Sequence, residues 1–499
     1  MSLYVIGVGG TGAKCIEAIV QLASVGLIPS KQLKVLFVDA DETNGNLQRS
    51  NTTLSVYQKC HELMKGNPEE SPWMSTDIES YGVWSPFTNN NADRKLGSFF
   101  SYNLLKQSSP ALANLFDVLY TEDERQVSLE VGFRGRPAIG SSIMTQINLD
   151  RLEEQPWQKF IFEVKSNSGG GTDTKILLCG SIFGGTGASG LPTIGRLISN
   201  KLEKEGVRDK VKIGCIFGLP YFNFPAGNAD EQVYASSELF LLNTEAALRY
   251  YKEQAQQFDT KYLIGNQTME KLGEFSVGKD TQVNRSHFVE FYAGLAARHF
   301  FCENLDRDVH VITRNQAGIL QWNDIPESEE VKTKLVNATR FAYIWLAEFK
   351  PQLELGQNKG IKELNGFAWF DKFFQGRGFM GMVTRKELPD LGDSQQQEAI
   401  KTITAWCEDF LRWVRDIHYC DNETIKLFKA REYFSNPRSV KGEKLSDLVH
   451  DDNRTKDVLT LDNTVTLKNS IGELNPADFG APNQGVGGLA KAIYLTCKV

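Results

Sequence analysis

Two segments of this 499-residue chain have the residue types and spacing of phosphate-binding turns. The first is Gly7-Val8-Gly9-Gly10-Thr11-Gly12, and the second is Gly180-Ser181-Ile182-Phe183-Gly184-Gly185-Thr186-Gly187-Ala188-Ser189-Gly190. Glycines between a strand and a helix let backbone N–H groups approach phosphate oxygens without a Cβ in the way. The helix that follows adds roughly half a positive charge at its start. Gly12 is followed by Ala13-Lys14-Cys15, so the first segment is not a Walker A loop. Gly9, Gly10, Thr11, Gly12 and Lys14 form the first candidate set, and Gly184, Gly185, Thr186, Gly187, Ala188, Ser189 and Gly190 the second.

Alternating strand and helix patterns flank both segments. Leu3–Gly7 reads as a short apolar strand, and Cys15, Ile16, Ile19, Val20, Leu22 and Ala23 recur at helical spacing over Ala13–Ala23. Leu33–Asp39 is a second strand, ending at Asp39-Ala40-Asp41. Lys175–Gly180 and Val211–Leu219 are buried strands, with a helix over Leu191–Leu202 between them. Glu231–Glu253 reads as a long amphipathic helix and Tyr262–Ile264 as a short strand. Ser286–Phe301 is apolar nearly all round, the mark of a helix enclosed by protein. Further helices follow over Val331–Phe349 and around Ile403, Trp406, Phe410, Trp413 and Ile417. Ser166–Thr174 reads as flexible, residues 50–130 as less regular, and 436–490 as loops or an extended polar arm. The order of these elements is that of an α/β protein with a parallel sheet.

Composition narrows the function classes. Apolar residues make up 41% and charged residues 23%, and the net charge is −7, so neither nucleic acid nor an anionic membrane is an expected partner. The N-terminus has no basic leader followed by an apolar stretch, and no run nears the ~20 apolar residues that span a bilayer. A cytoplasmic setting is expected. The eight cysteines are scattered without CxxC spacing and read as buried thiols, and the six histidines show no metal spacing, so no residues are assigned to a structural metal. Phe367, Trp369, Phe370, Phe373 and Phe374 read as core.

The second glycine segment resembles the GGGTG(S/T)G loop of tubulin and FtsZ, with Phe183 in the place of the first glycine and Ala188 as an added step. The first resembles FtsZ's GVGGGG, with Lys14 where FtsZ carries Asn. Asp39-Ala40-Asp41 resembles its NTDA segment, and Gly132-Phe133-Arg134-Gly135-Arg136-Pro137-Ala138-Ile139-Gly140 occupies the place of the γ-phosphate loop. The chain is thus identified as resembling a divergent prokaryotic member of the tubulin/FtsZ superfamily. The resemblance implies a parallel-sheet nucleotide domain over 1–285 with an insertion near 45–130. It also implies a central helix over 286–303 and an α+β C-terminal domain over 304–499. It implies GTP or GDP with Mg²⁺ as cofactors, Asp39, Asp41, Arg134, Arg136 and Asn266 near the nucleotide, and Asn284 reading the guanine edge. It implies a GTPase that stacks head to tail on itself, with an adaptor left open. Gly318-Ile319-Leu320-Gln321-Trp322-Asn323-Asp324 resembles the loop whose acid completes the neighbouring subunit's site, in a register that puts Asp324 or Asn323 at the acid's place. Phe222–Gly227 lacks the family's ribose-holding acid and arginine.

Two other readings stay open. One is a nucleotide-dependent scaffold that does not hydrolyse. The other is a ThiF-like adenylating enzyme, echoed by Asp39-Ala40-Asp41 with Asn46-Leu47-Gln48-Arg49, although that fold does not use a second glycine segment. A nicotinamide oxidoreductase fits less well for the same reason.

Overall fold

A computed structural model describes residues 1–65, 73–87, 94–133, 135–150, 155–223, 237–254, 256–271, 283–303, 308–313, 318–364, 366–377, 382–420, 424–429, 445–450 and 462–498. Seven strands form one parallel sheet: β1 (Ser2–Val8), β2 (Gln32–Val38), β3 (Asp77–Trp84), β4 (Thr174–Ser181), β5 (Val211–Gly218), β6 (Thr260–Gly265) and β7 (Val309–Thr313). Their spatial order is β3-β2-β1-β4-β5-β6-β7. Direction of growth therefore reverses between β1 and β4, which are directly paired with Val8 opposite Gly180.

Strand side chains alternate between two cores. Leu3, Val5, Leu33, Val35, Phe37, Leu177 and Cys179 face one, whereas Tyr4, Ile6, Val8, Leu36, Val38, Ile176 and Leu178 face the other. Both faces are covered, which is why these strands read as unbroken apolar runs. The first face carries α1 (Gly9–Ser24), α2 (Gly45–Met64) and, further along the chain, the central helix. The second carries α3 (Pro137–Met144), α4 (Trp157–Gly169) and α5 (Gly185–Lys204), with α6 (Ser237–Gln254) contributing Tyr251.

The central helix α7 (Phe288–Cys302) is buried along almost its whole length, as its composition requires. It lies against α1, where a Cβ at Gly294 would come 2.7 Å from Leu22. Its C-terminal carbonyls are met by the buried Lys175, whose Nζ donates to Phe300, Phe301 and Glu303 at 3.2, 3.1 and 2.8 Å. Lys175 is the second residue of β4, so α7 ends at the N-terminal edge of the sheet. β7 then carries the chain back.

The C-terminal half contributes α8 (Ser328–Ile344), α9 (Ser394–Tyr419) and α10 (Gly485–Thr496), and a two-residue ladder between Gly376–Arg377 and Val383–Thr384. These helices join the first core: Trp73 stacks on Tyr494 at 4.3 Å and meets Phe341 edge-on at 4.9 Å. The cluster at 367–374 is core, with Trp369, Phe370, Phe373 and Phe374 buried and Phe367 packed against them. Seven of the eight cysteines are buried free thiols and Cys302 is exposed.

Several boundaries differ from the sequence reading. Gly45–Met64 and Asp77–Trp84, expected inside an irregular insertion, form the 20-residue helix α2 and the edge strand β3. Helix α2 buries Asn46, Ser50, Thr53 and His61 beside its apolar residues, so no clean stripe marks it. Ser166–Gly169 closes α4 rather than starting a linker. Within 436–490, Thr464–Glu473 is a helix capped by Asn463, and α10 begins at Gly485. No described helix is long and apolar enough to cross a membrane.

Candidate functional site

Helices α1 and α5 start side by side at the C-terminal ends of β1 and β4. Each begins without a side-chain cap: Val8 and Gly184 hold the N-cap positions and neither side chain meets a backbone N–H. The first N–H groups of both helices are therefore available to a ligand. Gly9 turns the chain with φ +74°, a conformation that glycine adopts without strain. A Cβ on Gly9 would lie 3.3 Å from the backbone N of Gly187 and from Cβ of Thr186, so the two turns touch. Two aligned helix dipoles thus converge on one spot, at the topological switch point of the sheet.

Not every glycine faces that spot. A Cβ on Gly12 would come 2.5 Å from the Cys179 carbonyl, and one on Gly187 2.4 Å from the Ser181 carbonyl. Those glycines let the helices seat on the strands. Gly190 lies in the second turn of α5 against Val8, and Ser189 Oγ donates to the Gly185 carbonyl at 2.7 Å. The glycine spacing predicts one loop over 184–190, but the helix starts at Gly185, because the missing side chains let it begin tight on β4. Gly10, Gly184, Gly185 and Ala188 remain half-open, and a Cβ on Gly10 would first meet the Asn44 and Asn46 side chains, at 3.4 and 3.5 Å.

Acids and amides rim the turns. Asp39, just past β2, is buried; its Oδ1 accepts from Thr186 Oγ1 at 3.4 Å and from the Asp41 N–H at 3.2 Å. Its Oδ2 is buried without a hydrogen-bond partner. Burial pushes the Asp39 carboxyl up to about 7, and the nearby Asp41 adds to the rise. Asp41 accepts from the N–H and hydroxyl of Thr43. Asn44 caps α2, accepting from the N–H groups of Asn46 and Leu47 at 3.0 and 3.3 Å. Asn46 and Asn284 make a reciprocal pair: Asn46 Nδ2 donates to Asn284 Oδ1 at 3.1 Å and the Asn284 N–H donates to Asn46 Oδ1 at 2.8 Å. Asn44 and Asn46 were absent from the candidate set, although the run Asp39-Ala40-Asp41-Glu42-Thr43-Asn44 after a strand is a helix-start signal.

Beneath the rim sits a buried charge knot. Glu17 of α1 accepts from Arg49 of α2 at 2.9 Å, from Arg412 of α9 at 2.5 Å and from the Ser286 hydroxyl at 3.2 Å. Burial pushes its carboxyl up, but the two guanidinium groups outweigh that and hold it below the ordinary value. Arg49 also donates to the Asn284 carbonyl at 2.5 Å. The guanidinium in the ThiF-like echo is thus engaged with Glu17 and Asn284.

The loop over Gly132–Gly140 lies on the second turn. A Cβ on Gly185 would be 2.9 Å from Phe133 Cβ and 3.2 Å from the Gly135 N. Arg136 is paired with Glu124 at 2.9 Å, and Arg134 and Phe224–Gly227 lie outside the described residues.

Four expected site residues are placed elsewhere. The Lys14 ammonium is buried in an ion pair with Glu290, which also accepts from the Tyr221 hydroxyl at 2.5 Å, so Lys14 points to the core and not to the turns. The carboxylate of α7 draws it there, a partner far away in sequence. Asn266 donates to the Thr268 carbonyl at 2.7 Å, three strands from β1 and so ~14 Å along the sheet. Asn323 and Asp324 are exposed in a one-turn 3₁₀ helix, where Asp324 Oδ2 accepts from the Gln321 N–H at 2.8 Å. Asp324 lines a 380 Å³ cavity with Gly265 and Thr313, the C-terminal ends of β6 and β7. The Tyr292 hydroxyl, in the first half of α7, donates to its carbonyl at 2.7 Å. Because β7 returns the chain to the C-terminal edge, Asp324 stands on the same side of the sheet as the glycine turns. An acid that completes a neighbour's site in a head-to-tail stack belongs at the opposite pole.

His287 caps α7, its Nδ1 accepting from the Val289 N–H at 3.1 Å, and burial drives its imidazole down to about 3. His299 Nδ1 lies 2.8 Å from the Tyr262 hydroxyl. Among the described residues no group of three or more acids, histidines and cysteines could hold a metal alone.

No family model matches the chain, and no curated protein matches it. Among solved structures it matches "CetZ2 from Haloferax volcanii - GTPgS bound protofilament" at 15% identity, covering 60% of this chain and 59% of that one, with a TM-score of 0.29. It also matches "CetZ1 from Haloferax volcanii - GDP bound monomer" at 13% identity, covering 59% and 58%, with a TM-score of 0.26. The chain thus spans about three-fifths of the length of each of these structures.

Proposed function

We propose that this chain is a tubulin/FtsZ-like guanine-nucleotide-binding protein that assembles with itself, holding the polyphosphate of GTP or GDP between the starts of α1 and α5. The convergence of two uncapped glycine helix starts at the β1/β4 switch point carries this reading. Backbone N–H groups of Gly10, Gly184 and Gly185 are the donors, and the Thr186 hydroxyl stands beside them. The Asn46–Asn284 pair is the amide set this reading assigns to a purine edge, since an asparagine supplies both donor and acceptor. Mg²⁺ fits the acidic rim: the unpartnered Asp39 Oδ2, with Asp41 nearby, would face a hard cation that keeps waters and phosphate as its other ligands. The cation would supply charge neutralisation of the phosphates. Asp39 and Thr186 would fix its position, and the N–H groups would orient the phosphates.

The position of Asp324 favours the scaffold form of this reading, in which nucleotide occupancy governs assembly and Asp324 completes no neighbour's site. Pelleting and phosphate release should be measured together with GTP, GDP and ATP. Saturable GTP and GDP binding that Gly10→Val abolishes supports the site. ATP–pyrophosphate exchange would overturn it in favour of adenylation. Phosphate release lost in Asp324→Ala would restore the hydrolytic reading.

A further inference from the structure

The reciprocal contact between Asn46 and Asn284 fixes which atom of each amide points where. A backbone N–H can only donate, so the Asn46 atom that meets the Asn284 N–H at 2.8 Å is the oxygen Oδ1. The other end of that amide is then Nδ2, a donor, and the Asn284 atom it meets at 3.1 Å is Oδ1. Turning either amide over would set donor against donor. Asn284 therefore points its oxygen at α2 and keeps Nδ2 as its outward atom.

That outward atom is available. Asn284 is half-buried, and among the described residues its Nδ2 makes no hydrogen bond. The backbone around it is held on both sides: Arg49 donates to the Asn284 carbonyl at 2.5 Å, and the Ser286 hydroxyl donates to Glu17 at 3.2 Å. The pair adjoins the first glycine turn, since a Cβ on Gly10 would lie 3.5 Å from Asn46 Nδ2. Asn46 itself is buried, so it acts through Asn284.

We propose that Asn46 is a positioning residue that makes Asn284 a one-sided donor to the base, so that the site selects a 6-oxo purine and leaves the 2-amino group unread. This rests on the guanine-nucleotide reading above. Guanine offers O6 as an acceptor where adenine carries an amino donor. Asn284 Nδ2 bonds the first and opposes the second. Hypoxanthine has the same O6 and no 2-amino group, so inosine triphosphate (ITP) serves the site as well as GTP does.

Calorimetry on the full chain with Mg²⁺ should give dissociation constants for GTP and ITP within about twofold of each other, and ATP at least tenfold weaker. Asn46→Asp offers acceptors alone. One carboxylate oxygen keeps the Asn284 N–H, and the other draws Nδ2 round to it, so that Oδ1 faces the base. The preference for GTP over ATP should then fall at least tenfold, with ITP following GTP. Asn284→Asp puts an oxygen in the same place without any rotation and should move the preference the same way. The ratio cancels any loss common to all three triphosphates, which is what a merely structural role would produce. ITP more than about fivefold weaker than GTP in the unaltered chain would overturn the inference, as would ATP binding as tightly as GTP. So would a preference that Asn46→Asp leaves unchanged. Each of these results spares the nucleotide reading, whereas binding of none of the three triphosphates overturns both.

Discussion

The β1/β4 edge and the segment 318–325 lie on the same side of one sheet and were both expected to do chemistry, yet they are built in opposite ways. At the β1/β4 edge the backbone is the working part. Helix starts are pressed so close to the strands that single methyl groups would collide, and the exposed groups are N–H donors whose direction is set by the fold. In 318–325 the working part would be one exposed carboxylate in a short turn, already bonded to its own backbone. A site made of packed backbone is fixed by topology. A site made of one loop side chain is fixed only by what the chain does before and after it, here the return of β7.

Substitutions can break that contrast. The largest effect is expected below the rim: Glu17→Ala takes the buried carboxylate from Arg49 and leaves Arg412 with Asp409 and Asp416 alone, and should cost ~3 kcal/mol in urea unfolding. Gly12→Ala drives a methyl into the Cys179 carbonyl and should cost ~2–3 kcal/mol, whereas Gly318→Ala, with nothing within 4 Å of the new methyl, should be neutral. If both glycine changes proved equally mild, the packed-backbone account would fail. Gly10→Val should lower nucleotide affinity at least tenfold by calorimetry, with a melting shift of only ~1–2 °C, because its Cβ meets the Asn44 and Asn46 side chains at no less than 3.4 Å.

Asp39 offers a pH test. Its carboxyl titrates at about 7 in the folded chain, above its unfolded value. The folded state therefore keeps a proton that the unfolded chain releases. That favours folding at acid pH, and the contribution fades as pH climbs from about 4 to about 7. A polyphosphate beside it also prefers the protonated acid. In EDTA, affinity should fall roughly fivefold between about pH 6 and about pH 8, and Asp39→Asn should flatten the slope. The smallest effect is reserved for Asp324→Ala: up to ~1 kcal/mol of stability from the lost turn contact, and unaltered nucleotide affinity.

Much of this architecture was legible. The apolar runs at 3–7, 33–39, 175–180 and 211–219 became the central strands, and the all-round apolar stretch after Ser286 became α7, because burial on every side leaves no polar face to write. The two glycine segments were legible as turns. Which of their members face a ligand was not, since Gly12, Gly187 and Gly190 answer to strands that only the fold brings near. Lys14 misled because its partner Glu290 is distant in sequence. The place of Asp324 was not legible, because β7, only Val309–Thr313, is too short to announce that the chain crosses the sheet once more.

The Glu17 knot limits how the molecule can be dissected. It fastens the helix bearing the first glycine turn to α2, to the lead-in of α7 through Ser286, and to α9 near the far end of the chain. A fragment ending before Ser394 would keep every residue of the nucleotide rim and still lose one of the two cations that make Glu17 tolerable in the interior. The first 390 residues therefore do not amount to a freestanding nucleotide module, and the C-terminal helices belong to the foundation on which that rim is laid.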